Sequence, residues 1–258
     1  MNRSILFGFL FSVLALSAPA QESAPDKPKE GFVRIINACT VELKEPWRAG
    51  VDLTFKDQVL ARDMRGGEGA AYKPITFVGK DAVDVMPTGQ KTKVSSVPAS
   101  FEKGGFYSIL LTGMINEDGF KVAPLVVPDF PVPEAKIRQG FGRVKVLNAV
   151  TTFPVSLKLD DGTATRLEPL ALTELFLTPG SHPYGLTFAY KGQPREMQGF
   201  LTVTAGSQST AVIFASPEKP DRPVLRLWDD SAQMRAALEA AEAAKKPGAD
   251  AAAETPGG

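Results

Sequence analysis

The chain carries one histidine, His182, and one cysteine, Cys39, among its 258 residues. Nucleophilic or transition-metal chemistry would have to be built around one of them. A histidine-based triad needs His182 as the base that takes a serine's proton. His182 stands in Pro179-Gly180-Ser181-His182-Pro183, which reads as a tight turn between two strands. A thiol nucleophile would need Cys39 beside a base, yet strand alternation puts Cys39 on the face of Val33 and Ile35, the place of a small buried hydrophobe. One Cys and one His cannot complete a zinc shell without carboxylates. Calcium takes oxygen ligands alone, and Asp160-Asp161 and Asp229-Asp230 could contribute. Neither pair stands in a D-x-D-x-D-G frame, so they read as turn and helix-cap acids. The chain has no G-x-S-x-G elbow, H-E-x-x-H, Walker loop or Rossmann glycine pattern. No catalytic residue, metal site or cofactor is therefore assigned.

Binding is the chemistry left. Tyr184 and Tyr190 bracket a strand, and with Trp228 they could form a stacking platform for sugars, since aromatic faces complement the C–H faces of a pyranose. The plainer reading is that all three cap the edge of a core. Trp47, in Glu45-Pro46-Trp47-Arg48, falls in a loop and is the better single candidate for an exposed contact.

These residues sit on a repeated framework. Phe32-Val33-Arg34-Ile35-Ile36-Asn37-Ala38 returns about 110 residues later as Arg143-Val144-Lys145-Val146-Leu147-Asn148-Ala149. Alternating strands, a Gly-Gln turn (Gly89-Gln90, Gly192-Gln193) and closing apolar strands follow each copy in the same order. The period is too long for a solenoid and fits a duplicated domain. Aligning the Gly-Gln turns sets Leu186 on Val83 and Phe188 on Val85, which marks them as core. About seven short strands in roughly 100 residues read as an immunoglobulin-like sandwich. The expected fold is thus all-β: two tandem Ig-like antiparallel β-sandwiches over 32–130 and 143–230. A proline-bearing, semi-stiff linker at 131–142 joins them.

Residues 1–20 read as a signal peptide: Arg3, an apolar stretch from Ile5 to Leu16, then Ser17-Ala18-Pro19-Ala20. The stretch is too short to span a bilayer. Residues 21–31 form a polar flexible leader. Removing 1–20 takes away Arg3 and no acid, leaving 28 basic against 29 acidic side chains. That balance, without a basic run, argues against nucleic acid and anionic lipid. The alanine-rich segment after Asp230 reads as a short helix capped by Asp230. Only Met234 and Leu238 offer it an apolar stripe, so the helix is expected to be solvated and marginal, with a disordered tail to 258.

The Val33-to-Ala38 strand, its copy at Val144 to Ala149, and Leu177-Thr178-Pro179-Gly180-Ser181-His182 resemble a family of exported bacterial Ig-like modules without an assigned activity. The same features are similar to the periplasmic accessory protein of alginate O-acetylation. The resemblance covers about 33–215 and transfers no catalytic residue. It implies a periplasmic or secreted, non-enzymatic accessory of cell-envelope or exopolysaccharide assembly, with envelope proteins or glycan as partners. Three rival readings are a pair of carbohydrate-binding modules, an acyl-sugar transferase or esterase, and a structural adhesion component. Export through the signal makes Gln21 the first mature residue; N-terminal sequencing of the protein recovered outside the cytoplasm tests this.

Overall fold

The structure, a computed structural model, describes residues 30–245 apart from 46–47, 77, 131–132, 161, 191 and 216–221. The signal peptide, most of the leader, the tail beyond 245 and Trp47 lie outside the described residues.

Nine strands make up the first half: β1 (Gly31–Asn37), β2 (Thr40–Glu42), β3 (Val51–Phe55), β4 (Gln58–Met64), β5 (Lys73–Ile75), β6 (Gly79–Pro87), β7 (Ser95–Phe101), β8 (Phe106–Asn116) and β9 (Gly119–Pro128). Eight make up the second: β10 (Gly142–Asn148), β11 (Val155–Leu159), β12 (Thr165–Leu167), β13 (Leu172–Leu177), β14 (Gly180–Tyr190), β15 (Gln193–Val203), β16 (Gln208–Ala215) and β17 (Pro223–Asp229). The excess over seven comes from short edge pieces such as β2 and β5, three residues each. Between the halves, a short helix α1 (Glu134–Arg138) stands where extended backbone was expected.

Each half folds as two sheets. In the first, β2-β8-β1-β5 with β9 beside β8 faces β4-β3-β6-β7; in the second, β13-β10-β16-β17 faces β12-β11-β14-β15. The pairing is antiparallel except where β1 joins β8, β2 joins β8 and β10 joins β16, all parallel. Alternation sends Val33, Ile35, Ile109 and Leu111 into the first core with Leu53, Val83 and Val85. Val144, Val146, Ala211 and Ile213 meet Leu157, Leu186 and Phe188 in the second.

The repeated Asn-Ala motif has a direct cause. Asn37 Nδ2 donates to the Met64 carbonyl at 2.9 Å, and its Oδ1 accepts the Cys39 N–H at 3.0 Å. Asn148 does the same with Leu167 and Val150, at 3.1 Å each. Each Asn ties the end of the first strand to the opposite sheet and turns the chain.

All seven residues of β1, of β10 and all eight of β16 are buried. A strand covered on both sides needs a second apolar layer, and each half supplies it to the other. Ile36, Ala38, Leu110 and Val127 pack on Leu147, Ala149, Val212 and Phe214. The four sheets therefore stack face to face, the β1 and β10 sheets inside and the β6 and β14 sheets outside.

Charge lies within that inner contact. Arg34 in β1, with no exposed surface, donates from Nε to Ser108 Oγ at 2.7 Å and from Nη2 to Thr210 Oγ1 at 2.9 Å. Its guanidinium pairs with Asp230 at 2.7 Å and lies 4.9 Å from the centre of the Tyr72 ring. Lys145, the repeat equivalent of Arg34, pairs with Asp129. Asp129 also accepts the Tyr72 and Ser108 hydroxyls, both at 2.7 Å, and Asp230 accepts Thr210 at 2.8 Å. The arrangement repeats: Ser108 stands opposite Arg34 and Thr210 opposite Lys145, while Asp129 and Asp230 each follow the last strand of their half. The closest ion pairs cross over, so each half's base meets the other half's acid; Lys145 also lies 3.6 Å from Asp230 of its own half. This is the self-complementary pattern of a two-fold dimer within one chain.

Asp230 is thus spent on Arg34 and does not cap the C-terminal helix α2 (Asp230–Lys245). Asp229 takes that place, accepting the Ala232 N–H at 2.9 Å. Nor is the helix merely solvated. Ala237 and Ala241 are buried and, with Met234 and Leu238, pack on Phe32, Tyr72 and Phe106 of the first half. The stripe is 234, 237, 238, 241, the spacing of one helix face; alanines complete it and let the helix sit close. Asp230→Asn leaves the Arg34 charge buried without its partner and is expected to cost about 3–5 kcal/mol. Arg34→Met with Asp230→Leu is expected to cost far less, as read from urea unfolding midpoints.

Candidate functional site

His182 does not sit in a turn. Strand β14 starts at Gly180, and His182 is its third residue, opposite Leu201 of β15. The residue is 9% exposed. Nδ1 lies 2.9 Å from an Asp160 carboxylate oxygen, and Nε2 lies 2.8 Å from the Thr178 carbonyl. Both nitrogens are therefore engaged. The hydrogen bond to Asp160 and that to Thr178 raise the imidazole pKa above its ordinary value. Cys39 is fully covered, and burial pushes its thiol up, away from the thiolate. Among the described residues no group of three His, Cys, Asp or Glu side chains is placed to hold a metal ion.

Of the proposed aromatic contacts, Tyr184 and Trp228 stand on different sheets. Trp47 lies outside the described residues, and of Tyr190 only the backbone is placed, closing β14 opposite Gln193. Trp228 belongs to the inner β17, half-buried beside the apolar contact between the halves. Its indole covers Gly69, in the loop between β4 and β5, so closely that a Cβ there would come within 2.5 Å of Nε1. Tyr184 belongs to the outer sheet. It packs against the second core, its ring over Gly199, and burial raises its phenol pKa.

The outer face around Tyr184 holds a residue that the sequence reading passed over. Phe200 in β15 is 73% exposed. Three rows of side chains cross this face. Lys158, Gly185 and Gln198 stand in register on β11, β14 and β15; Ser156, Thr187 and Glu196 form the row to one side. On the other side Pro183 faces Phe200, and the Asp160 N–H donates to the Pro183 carbonyl at 2.8 Å. Gly185 has no atom within 4 Å of where a Cβ would stand. The missing side chain opens a cleft of about 370 Å³ bordered by Lys158, Asp160, Glu196, Gln198 and Phe200. Glu196 accepts from Gln198 at 2.9 Å, which holds two polar groups along one wall. The arrangement offers an aromatic face beside hydrogen-bond donors and acceptors. The signal for Phe200 was present in the sequence: Leu201 and Val203 point inward, so Phe200 must point out.

No protein-family model matches the chain, and no curated protein does. Among solved structures, a candidate cell adhesion protein from Bacteroides fragilis is 10% identical, with 78% of this chain and 97% of that one aligned at a TM-score of 0.21. A likeness that low carries no argument about fold or role. What the structure itself defines is an all-β chain of stacked sandwich sheets with a C-terminal helix. Because Cys39 is buried and held as the thiol, DTNB is expected to leave it unmodified in the native protein and to label it once the chain is unfolded in urea; rapid native labelling would show an accessible thiolate.

Proposed function

We propose that the chain is an exported, non-enzymatic binding or accessory protein of cell-envelope or exopolysaccharide assembly, and that the outer cleft of the β14 sheet is its glycan contact. One observation carries the reading: Phe200 stands exposed opposite Pro183, beside a glycine-floored cleft lined with Lys158, Glu196 and Gln198. An exposed ring stacks on a sugar's C–H face, and flanking amide, carboxylate and ammonium groups bond its hydroxyls. The commitment of both His182 nitrogens to protein acceptors supports binding over hydrolysis, because an engaged imidazole is no free general base. The Tyr184 ring packs on the core side of this sheet, so Tyr184 joins Trp47, Tyr190 and Trp228 as a secondary candidate. Work in the periplasm or outside the cell, beside acetylation or assembly proteins, belongs to the same reading, and the resemblance of the repeated Asn-Ala strands to exported modules supports it.

Electrophoresis through gels cast with alginate, acetylated alginate or a neutral glucan tests this directly. Retardation in at least one gel is expected. Phe200→Ala, which touches an exposed side chain, is expected to weaken it by about 1 kcal/mol, roughly fivefold in affinity, with unfolding unchanged. Equal migration in every gel would sink the glycan reading.

A further inference from the structure

His182 connects this cleft to the proton concentration. Its ring faces two acceptors at once, the Asp160 carboxylate and the Thr178 carbonyl. A neutral imidazole has one N–H and one lone pair, so only the doubly protonated ring can donate to both. Asp160 and Thr178 lie on different turns, the first between β11 and β12, the second between β13 and β14. Asp160 is also part of the cleft wall, and it sits at φ 49°, in the left-handed region that favours glycine.

We propose that His182 is a proton-dependent positioning residue for the cleft: as imidazolium it clamps the Asp160 and Thr178 turns together, and on losing its proton it releases one of them. The clamp's role in binding rests on the glycan reading above; the clamp itself does not. Of the two neutral tautomers, one sets a lone pair against the Thr178 carbonyl and frees that turn. The other sets a lone pair against the Asp160 carboxylate and turns that side chain away. Asp160 is the charged group set against the ring. The strand β15 presents Leu201 opposite it, and Lys158 and Glu196 are the charged side chains farther along the cleft. The folded protein holds the proton more tightly than the unfolded chain does. The contact therefore adds stability in full below the ordinary histidine value of 6.5, and that contribution is lost as pH rises through the folded midpoint.

A single histidine makes the test clean, since the imidazole Cε1–H gives one NMR signal. That signal is expected to titrate with a midpoint above 6.5, and the amide signals of Gly162 and Gly180, in or beside the two turns, are expected to move with the same midpoint. Asp160→Asn removes the carboxylate but keeps a residue type that accepts positive φ, so it should fold and bring the midpoint back toward 6.5. A wild-type midpoint at or below 6.5, silent glycine amides, or an Asp160→Asn midpoint unchanged from wild type would each overturn the clamp. Alginate-gel mobility measured across the same pH range separates the two readings. Retardation that fades through the His182 midpoint supports both, and retardation that ignores it overturns the link to the cleft. Absent retardation at every pH removes the glycan reading while the titration still decides the clamp.

Discussion

The contact between the two halves is governed by four charges, Arg34, Lys145, Asp129 and Asp230, each with almost no exposed surface. Stripping an ion of water costs several kcal/mol, and its counter-ion recovers that only at close range with the remaining polar atoms bonded. Ser108, Thr210, Gln208 and Tyr72 supply most of those bonds, leaving Arg34 Nη1 without one. Because the closest pairs cross, each buried base depends on the other half's acid, and only Lys145 also reaches its own half's Asp230, at 3.6 Å. The β1 and β10 sheets must meet in one orientation, and α2, which begins at Asp230, must lie over Phe32 and Tyr72. Apolar packing alone could slide; fixed charges set the register.

That constraint divides the molecule into an inside that cannot change and an outside that can. The central strands β1, β10 and β16 of the inner sheets are covered on both faces, so every residue there answers to a neighbour. The outer β14 sheet answers to a core on one face only. Its other face, with Gly185, Phe200 and their polar rows, contributes little to folding and is free to meet something else. His182 stands at the margin between these regimes, covered enough to be held by two acceptors and close enough to the surface to exchange protons with water.

The repeat, the strand alternation and the core pairs Val83 with Leu186 and Val85 with Phe188 were legible in the sequence because burial on one face imposes a period of two. Three features were not. Arg34 and Lys145 look like solvent-facing residues of an alternating strand until a second layer covers that face, and no local pattern announces it. The α2 stripe was undercounted because Ala237 and Ala241 are weak hydrophobes whose smallness, rather than area, brings the helix in. His182 was read into a turn because Pro179-Gly180 and Pro183 flank it, although the strand resumes at once. In the candidate site, Tyr184 was visible as a large residue on β14, whereas the cleft is made by an absence, the missing side chain of Gly185.

A symmetric dimer writes every substitution twice, so any contact that suits one subunit must be tolerated by the other. Here the two-fold contact is kept inside a single chain, and that obligation is gone. The corresponding rows of the outer sheets have in fact parted: Pro183 faces Phe200 in the second half, while Lys80 faces Ser100 in the first. Gly185 faces Gln198, and Ala82 faces Pro98. With sheets stacked about 10 Å apart, the two outer faces look in opposite directions across roughly 30 Å. A shared centre thus carries two unlike ends, each open to specialise without disturbing the charges that hold them together.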